Sequence, residues 1–248
     1  MPAGQKVLDI SVVIPAYNEE KRIDECLRRV TAFLSLKDRE WEVIVSSDGS
    51  TDKTEEIVRT HIGKRQDGRL KYIPAAHAGK GAAVRRGVLA AEGKVILITD
   101  TDLSAPIKES DKLMAVLDSG WDIAIGSRAI REKDCDVQQD PKRWLAGRIF
   151  NILVRMIVLK GFKDTQCGFK CLKKEAAHTL FQAQTLDSFC FDIELLCLAK
   201  KMDYKVKEVP VMWKEALFSK VNLVKDSIPM LKELFYLRKK YPQKKFTG

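Results

Sequence analysis

The stretch Ile10-Ser-Val-Val-Ile-Pro-Ala16 is a continuous apolar run, and Tyr17-Asn-Glu-Glu20 follows it directly. Such a run is typical of a strand that is buried on both faces, as in a parallel sheet. Apolar residues then recur with helical spacing, at Ile23, Leu27, Val30 and Leu34. The pattern therefore predicts a strand, a polar turn and a helix.

Three further strands are predicted downstream, over residues 41–47, 70–74 and 95–99. Asp48-Gly-Ser-Thr-Asp52 is a turn and N-cap cluster before a helix that reaches about His61, and Gly79-Lys-Gly81 opens a helix that reaches about Glu92. This alternation predicts an α/β fold with a mostly parallel sheet flanked by helices. Ligands of such sheets bind beyond the carboxyl ends of the strands.

The second half of the chain is less regular. Strand patterns at 121–126 and 205–211 and helical patterns at 142–159 and 191–201 are joined by other stretches, including the polar, charge-rich residues 128–141. Neither an internal repeat nor a linker is present. We therefore expect one domain over residues 1–218, followed by a C-terminal segment over residues 219–248.

This C-terminal segment is basic and amphipathic. Positions 220–246 hold eight Lys or Arg against two acids and contribute six of the formal net charge of +10. Apolar residues mix with the lysines as in a helix that lies at a membrane interface, and Pro229 is expected to break or kink that helix. A helix docked on the main domain with a solvated basic face remains an open alternative.

Composition excludes several classes of protein. The chain has 248 residues, of which 45% are hydrophobic and 31% charged, so it can bury a core and is neither collagen-like nor disordered. Its positive charge indicates an anionic partner, which nucleic acid, an acidic membrane or a phosphorylated substrate could supply. Six sparse, irregularly spaced cysteines favour a reduced compartment. We interpret Cys167 and Cys171 as packing residues rather than zinc ligands.

The sharpest chemical feature is Asp100-Thr101-Asp102, directly after the fourth predicted strand. Side chains alternate along a strand, so the two carboxylates share a face and could reach one hard divalent cation. Taken alone, such a pair is more often a loop cap or a solvated strand end. Three other strand ends or turns carry polar or aromatic groups in the same predicted cleft, and these groups raise the weight of the functional interpretation.

Each of these other groups has a possible role in binding a nucleotide. Asp48 could accept a hydrogen bond from a base, Tyr17 could pack on a base, and Lys80 could lie near a diphosphate. Asp48 could equally be a turn residue, and Tyr17 could simply precede a helix. Gly79-Lys80-Gly81 fails the Walker pattern because no Ser or Thr follows the lysine.

The order of these motifs resembles that of family 2 glycosyltransferases with the GT-A fold. The resemblance covers residues 10–241, and its first part is carried by Val13-Ile-Pro-Ala-Tyr-Asn-Glu19, Asp48-Gly-Ser-Thr-Asp52, Gly79-Lys-Gly81 with Gly87, and Asp100-Thr-Asp102. Four later segments look like the dolichyl- or polyprenyl-phosphate glucosyltransferase branch and, more loosely, the dolichyl-phosphate mannose synthases. They are Gly126-Ser-Arg128, Asp164-Thr-Gln-Cys-Gly-Phe-Lys170, Phe191-Asp-Ile-Glu-Leu195 and Ser219-Lys220.

The resemblance implies roles for particular residues. Asp100 and Asp102 would hold Mg²⁺ or Mn²⁺, and together with Arg128 they would form the catalytic set. The nucleotide-sugar donor would be bound by Pro15, Ala16, Tyr17, Glu19, Asp48, Lys80, Asp100, Thr101 and Asp102. The acceptor phosphate would be bound by Arg128, Arg143, Arg148 and Lys220. Ser104 departs from the mannose synthases, in which a glutamine that also touches the metal stands at this position.

The implied reaction is metal-dependent, inverting transfer of a hexose, glucose from UDP-glucose, to dolichyl or polyprenyl phosphate with a β-linkage. A phosphate acceptor is already anionic near pH 7, so this reaction needs cationic side chains more than a strong general base. Two alternatives within the fold stay open, namely transfer to a hydroxyl of a glycan or cell-surface polymer with Asp192 as the base, and mannosyl transfer from GDP-mannose. A third alternative is a binding module that has lost catalysis.

The expected partners are the nucleotide sugar and the lipid phosphate. We expect no nucleic acid, because no nucleic-acid-binding motif appears and aromatic residues do not interleave the basic tail. The sequence shows neither a signal-peptide pattern nor an apolar run of about 18 residues. Relatives often carry transmembrane segments. We therefore expect peripheral association with the cytoplasmic side of a membrane, with a membrane protein as a possible partner.

Overall fold

The computed structural model describes residues 7–132, 135–138, 140–214 and 227–242. The strands in these ranges are β1 (Ile10–Ala16), β2 (Trp41–Ser47), β3 (Leu70–Ile73), β4 (Val95–Ile98), β5 (Ile123–Ser127), β6 (Val137–Gln138), β7 (Lys170–Lys173), β8 (Val206–Pro210) and β9 (Trp213–Lys214). The helices are α1 (Ile23–Ser35), α2 (Thr54–Arg65), α3 (Lys80–Leu89), α4 (Ser110–Asp118), α5 (Pro141–Ile157), α6 (Lys174–Ala183), α7 (Phe191–Lys201) and α8 (Ser227–Lys240).

Seven strands form one mostly parallel sheet in the order β3-β2-β1-β4-β7-β5-β8. Only β7 runs antiparallel to its neighbours within this sheet, between β4 and β5. The predicted α/β architecture is therefore confirmed. Strands β1, β2 and β4 end at the same edge of the sheet because they pair in parallel register, and this edge receives the polar groups that follow them.

Helices cover both faces of the sheet, and alternation along each strand explains why. On β1, Val13 points into one apolar cluster, whereas Val12 and Ile14 point into the other. All three side chains are fully buried. Two-sided burial of this kind stabilises a strand through about 1.5–3 kcal/mol for each large aliphatic side chain, and it accounts for the uninterrupted apolar sequence.

The structure contains elements that the sequence pattern does not predict. Helix α4 lies between the fourth predicted strand and the strand pattern at 121–126, and helix α6 and strand β7 lie in the irregular second half. Strand β7 reads Lys-Cys-Leu-Lys, which lacks an apolar run, yet it occupies a central position with Lys170 buried. The polar stretch 128–141 contains the short strand β6, which pairs in parallel with β9.

Helix α8 represents the described part of the C-terminal segment. Pro229 lies in the first turn of α8, where a helix has no hydrogen bond for proline to remove. The expected break or kink at Pro229 also concerns residues 219–226, which lie outside the described residues, so it stays a prediction. Leu234 and Leu237 are fully buried in the core cluster that also contains Val154 of α5. Within the described ranges, no helix combines the length and apolarity needed to cross a membrane.

Candidate active site

A large cleft of about 1810 Å³ lies at the edge of the sheet where β1, β2 and β4 end. Its lining brings together eleven of the predicted site residues: Pro15, Ala16, Tyr17, Glu19, Asp48, Lys80, Asp100, Thr101, Asp102, Arg128 and Arg148. Parallel strands deliver their carboxyl ends to one edge, and this topology explains how residues up to 133 positions apart come to line one space. The side chain of Arg143 and all of Lys220 lie outside the described residues.

The acidic pair lies at the floor of this cleft, beside a lysine. Lys80 Nζ at the start of α3 lies 2.7 Å from Asp100 Oδ1, and Asp102 Oδ1 accepts a hydrogen bond of 2.9 Å from the Ser104 backbone N–H. Burial and the negative charge of Asp100 raise the pKa of Asp102. A nearby cation would stabilise the charged forms of two carboxylates in this environment.

A glycine lies in close contact with the Asp100 carboxylate. A Cβ added at Gly168 would overlap with Asp100 Oδ2. The segment before β7 can therefore approach the carboxylate this closely only with glycine at position 168. Gly168 lies far from Asp100 in sequence, and the antiparallel insertion of β7 beside β4 brings the two together. The conformation of Asp100 therefore depends on contacts from both halves of the chain.

The donor set of the acidic pair fits a hard divalent cation. Both side chains offer oxygen, the ligand atom that Mg²⁺ and Mn²⁺ prefer, and Ser104, whose backbone N–H donates to Asp102, also lines the cleft. The described residues contain no cluster of three or more His, Cys, Asp or Glu that could hold a metal alone. An ion here would therefore need further ligands from substrate phosphates and water, which is how Mg²⁺ is usually bound.

Asp48, at the end of β2, is buried and anchors the loop before α3. Its Oδ1 accepts hydrogen bonds from the backbone N–H groups of Ala78 (2.9 Å) and Gly79 (3.0 Å). Its Oδ2 lies 2.9 Å from His77 Nδ1. The His77 ring stacks on Tyr17, with ring centroids 4.6 Å apart, so the two rings form an aromatic pair at one end of the cleft.

His77 is a cleft residue that sequence reasoning missed. A Cβ at Gly49, which has φ +76°, would lie 2.5 Å from the His77 backbone nitrogen. Glycine at position 49 therefore permits the close approach that stacks His77 on Tyr17. The available signal was topological, since the residues after β3 reach the same sheet edge as the residues after β1 and β2.

Arg128, after β5, is held by a buried carboxylate. Its Nε and Nη2 donate to Asp164 over 2.7 and 2.8 Å in a two-pronged contact, and its guanidinium lies 4.9 Å from the centre of the Trp213 ring. Burial alone would raise the pKa of Asp164, but Arg128 holds it below its ordinary value. The guanidinium is thus fixed in orientation at the cleft wall before any ligand binds.

Asp192 lines the cleft and forms a buried ion pair. Lys170, which is 1% exposed, places Nζ 2.5 Å from Asp192 Oδ1 and also donates to the Cys167 carbonyl. Burial raises the pKa of Asp192, whereas the charges of Lys170 and Lys80 oppose this change. The sequence does not predict this partner for Asp192, because a lysine in a central strand is atypical.

The edge of the cleft formed by α5 is exposed. Arg148 lines the cleft and stacks on Trp144, with the guanidinium 5.1 Å from the ring centre. Arg131, Arg155 and Lys163 also line it, although no sequence motif predicts a role for them. Cationic side chains therefore border the cleft on the side of α5, whereas the acidic pair lies near the ends of β1, β2 and β4.

The mostly parallel sheet, with an Asp-x-Asp pair at its carboxyl edge, has the GT-A fold. Solved structures of glucosyl-3-phosphoglycerate synthase from Mycobacterium tuberculosis share the fold. The complex with phosphoglyceric acid has a TM-score of 0.65 at 18% identity and covers 94% of this chain and 80% of that one. The complex with Mn²⁺ and UDP-glucose has a TM-score of 0.65 at 19% identity and covers 93% and 77%.

The family follows from sequence comparison. The model for Glycosyl transferase family 2 matches residues 11–181. A dolichyl-phosphate beta-glucosyltransferase of Trichomonas vaginalis is 38% identical over 91% of this chain and 71% of its own length. One from Homo sapiens is 33% identical over 94% and 75%. The chain therefore belongs to glycosyl transferase family 2, and the prediction of a glycosyltransferase is confirmed.

Proposed function

We propose that this protein transfers glucose from UDP-glucose to dolichyl phosphate and forms a β-linked lipid-phosphate sugar. Relatives at 32–38% identity over most of the chain are named dolichyl-phosphate beta-glucosyltransferases. A phosphate oxygen of the acceptor forms the new bond to the sugar C1 as the bond from C1 to the diphosphate breaks. UDP leaves from the opposite face, so the configuration at C1 is inverted.

The observation that carries this proposal is the division of charge in the cleft. Asp100 and Asp102 lie with Lys80 near the ends of the parallel strands, and Arg128 and Arg148 line the same cleft further along. Two phosphorylated reactants need this arrangement, because a cation must neutralise the leaving diphosphate while guanidinium groups hold the incoming phosphate. Arg143 and Lys220 remain predicted members of the acceptor group.

The donor would lie at the ends of β1 and β2. The Tyr17–His77 ring pair would stack on the base, Asp48 would fix its edge, and Lys80 would contact the diphosphate. Pro15, Ala16, Glu19 and Thr101 complete the wall on this side. Asp100 and Asp102 would hold Mg²⁺ or Mn²⁺, and the bound ion would neutralise the negative charge that develops on the leaving diphosphate.

The test is a panel of UDP- and GDP-sugars offered with a short-chain polyprenyl phosphate, with Mn²⁺ or Mg²⁺ present or chelated, and with products identified by mass spectrometry. We expect a hexosyl-phosphate lipid only from UDP-glucose and only with a divalent cation. Product formed from GDP-mannose instead would replace the proposed donor. Equal product in the presence of EDTA would contradict the role of the acidic pair.

Transfer to a hydroxyl group is the second candidate, because Asp192 lines the cleft and its pKa is raised by burial. Substituting Asp192 alone would leave the buried Lys170 unpaired, which costs about 3–5 kcal/mol of stability. The informative variant is therefore Asp192→Asn combined with Lys170→Met. If Asp192 is not a general base, this variant should transfer sugar to the lipid phosphate at a rate within about tenfold of the wild-type rate. If Asp192 is the general base, turnover should fall about 10²–10⁴-fold.

A further inference from the structure

Helix α5 exposes a stripe of large apolar side chains, here called the α5 stripe: Leu145, Ile149, Ile152 and Met156. The spacings of four, three and four residues place all four on one face of the helix. Their exposed fractions are 54%, 53%, 51% and 71%. Val154, which is fully buried, lies about 200° around the helix from both Ile152 and Met156. The stripe is therefore opposite the face that anchors α5 to the core.

The charges around this stripe are of one sign. Residues 141–163 contain six Lys or Arg and no Asp or Glu. Arg148 and Arg155, seven residues apart, each lie one position before a stripe residue and so border it on the same side. An apolar stripe flanked by cations is the pattern of a helix that lies in the interface of an anionic bilayer.

The stripe is also continuous with the cleft. Ile149 and Ile152 line the cleft, whereas Leu145 and Met156 do not. All four stripe side chains are more than half exposed, so the stripe is an open surface. A tunnel that enclosed a single lipid chain would bury the side chains of its walls. Helix α8, whose buried face joins the same core cluster as α5, also has exposed apolar side chains, at Leu231 and Phe235.

We infer that the α5 stripe is the surface through which this protein rests on an anionic lipid bilayer, with the mouth of the cleft turned toward the headgroups. The apolar side chains enter the interfacial region, and the flanking arginines contact the phosphate layer. The inference rests on the proposed function only for the reason why this protein would bind a bilayer, namely that an acceptor with a polyprenyl chain is held there. Binding to the bilayer itself requires neither donor nor acceptor.

The test is sedimentation of the full chain with vesicles of phosphatidylcholine and phosphatidylserine that contain no polyprenyl phosphate. The variant Leu145→Gln/Met156→Gln removes the two stripe residues outside the cleft, and we expect it to lower vesicle partitioning about tenfold. The matched control Leu36→Gln/Met202→Gln makes the same chemical change at two exposed positions elsewhere, and it should partition like the wild type. Both variants should keep the wild-type melting temperature, since surface substitutions are nearly neutral.

Four outcomes would overturn the inference. The first is a wild-type chain that does not bind these vesicles, and the second is a stripe variant that binds them as well as the control variant does. The third is binding that occurs only after polyprenyl phosphate is added, which would assign the stripe to the acceptor chain. The fourth is a wild-type oligomer that the stripe variant dissociates while vesicle binding is unchanged, which would assign the stripe to a second copy of the chain.

Activity separates this inference from the proposed function. The stripe variant should transfer glucose to a short, water-soluble polyprenyl phosphate at the wild-type rate and lose rate only with a long-chain acceptor in vesicles. If the wild type shows no glucosyl transfer, the proposed function fails. Vesicle partitioning still decides the role of the stripe in that case, because it is measured without turnover.

Discussion

The two sides of the cleft are built differently. On the proposed donor side, Asp48 follows β2, Asp100 and Asp102 come just after β4, and backbone N–H groups or Lys80 hold their carboxylates. On the proposed acceptor side, Arg148 lies on an exposed helix, and Arg128 depends on Asp164 for its orientation. The proposed donor side is thus held by contacts to backbone N–H groups and to Lys80 near the strand ends, whereas the proposed acceptor side combines one anchored guanidinium with an open helix surface.

The largest effect should come from the donor side. Asp102→Asn removes one of two carboxylates expected to hold the divalent ion, and we expect kcat to fall about a thousandfold, since metal stabilisation of the leaving group is worth several kcal/mol. Isothermal titration should show UDP binding that no longer depends on Mn²⁺. The matched variant Asp111→Asn changes an aspartate in a partly buried ion pair away from the cleft and should leave both quantities unchanged. If UDP binding by Asp102→Asn still depended on Mn²⁺ as it does in the wild type, Asp102 would not be a metal ligand.

Gly168→Ala tests how tightly the Asp100 carboxylate is held. The new methyl group overlaps with Asp100 Oδ2 and must displace it, and a misplacement of about 1 Å commonly costs about a hundredfold in rate. The control is Gly63→Ala on α2, where the added Cβ meets no atom within 4 Å. Wild-type turnover in Gly168→Ala would show that the position of Asp100 is not critical.

Asp164→Asn tests the acceptor side. It removes the charge that orients Arg128, and we expect kcat/KM for the lipid phosphate to fall about 30-fold, because a charge-assisted hydrogen bond contributes about 1.5–3 kcal/mol. The KM for UDP-glucose should not change. Asp67→Asn disrupts an arginine–aspartate pair at the surface and serves as the control. If both substrates were affected equally, Arg128 would not be specific to the acceptor.

The smallest effect concerns the aromatic pair. His77→Ala removes the ring that stacks on Tyr17, and we expect UDP affinity to fall about fivefold, as for an aromatic contact worth about 1 kcal/mol. Ribose 5-diphosphate lacks a base, so its affinity should stay the same. His61→Ala changes a histidine paired with Asp24 and provides the control. An equal loss of affinity for both ligands would indicate a structural role for His77.

The parts of the fold and of the candidate site that depend on local sequence patterns could be predicted from the sequence. The runs that become β1, β2 and β4 are apolar because both of their faces are buried, so their ends and the polar groups beyond them could be located. His77, Gly168 and Lys170 could not be assigned in this way. Their importance arises from contacts with Tyr17, Asp100 and Asp192 that span between 22 and 68 residues of sequence and depend on strand order.

The sequence by itself determined the α/β class, the sheet edge that carries the acidic pair, and the resemblance to glycosyl transferase family 2, because side-chain periodicity and motif order are local properties. Only the tertiary structure decided that β7 enters the sheet antiparallel, that Lys170 pairs with Asp192, and that α5 turns an apolar stripe outward. Those features depend on which segments, distant in sequence, pack against each other, and the packing energy between them decides which arrangement forms.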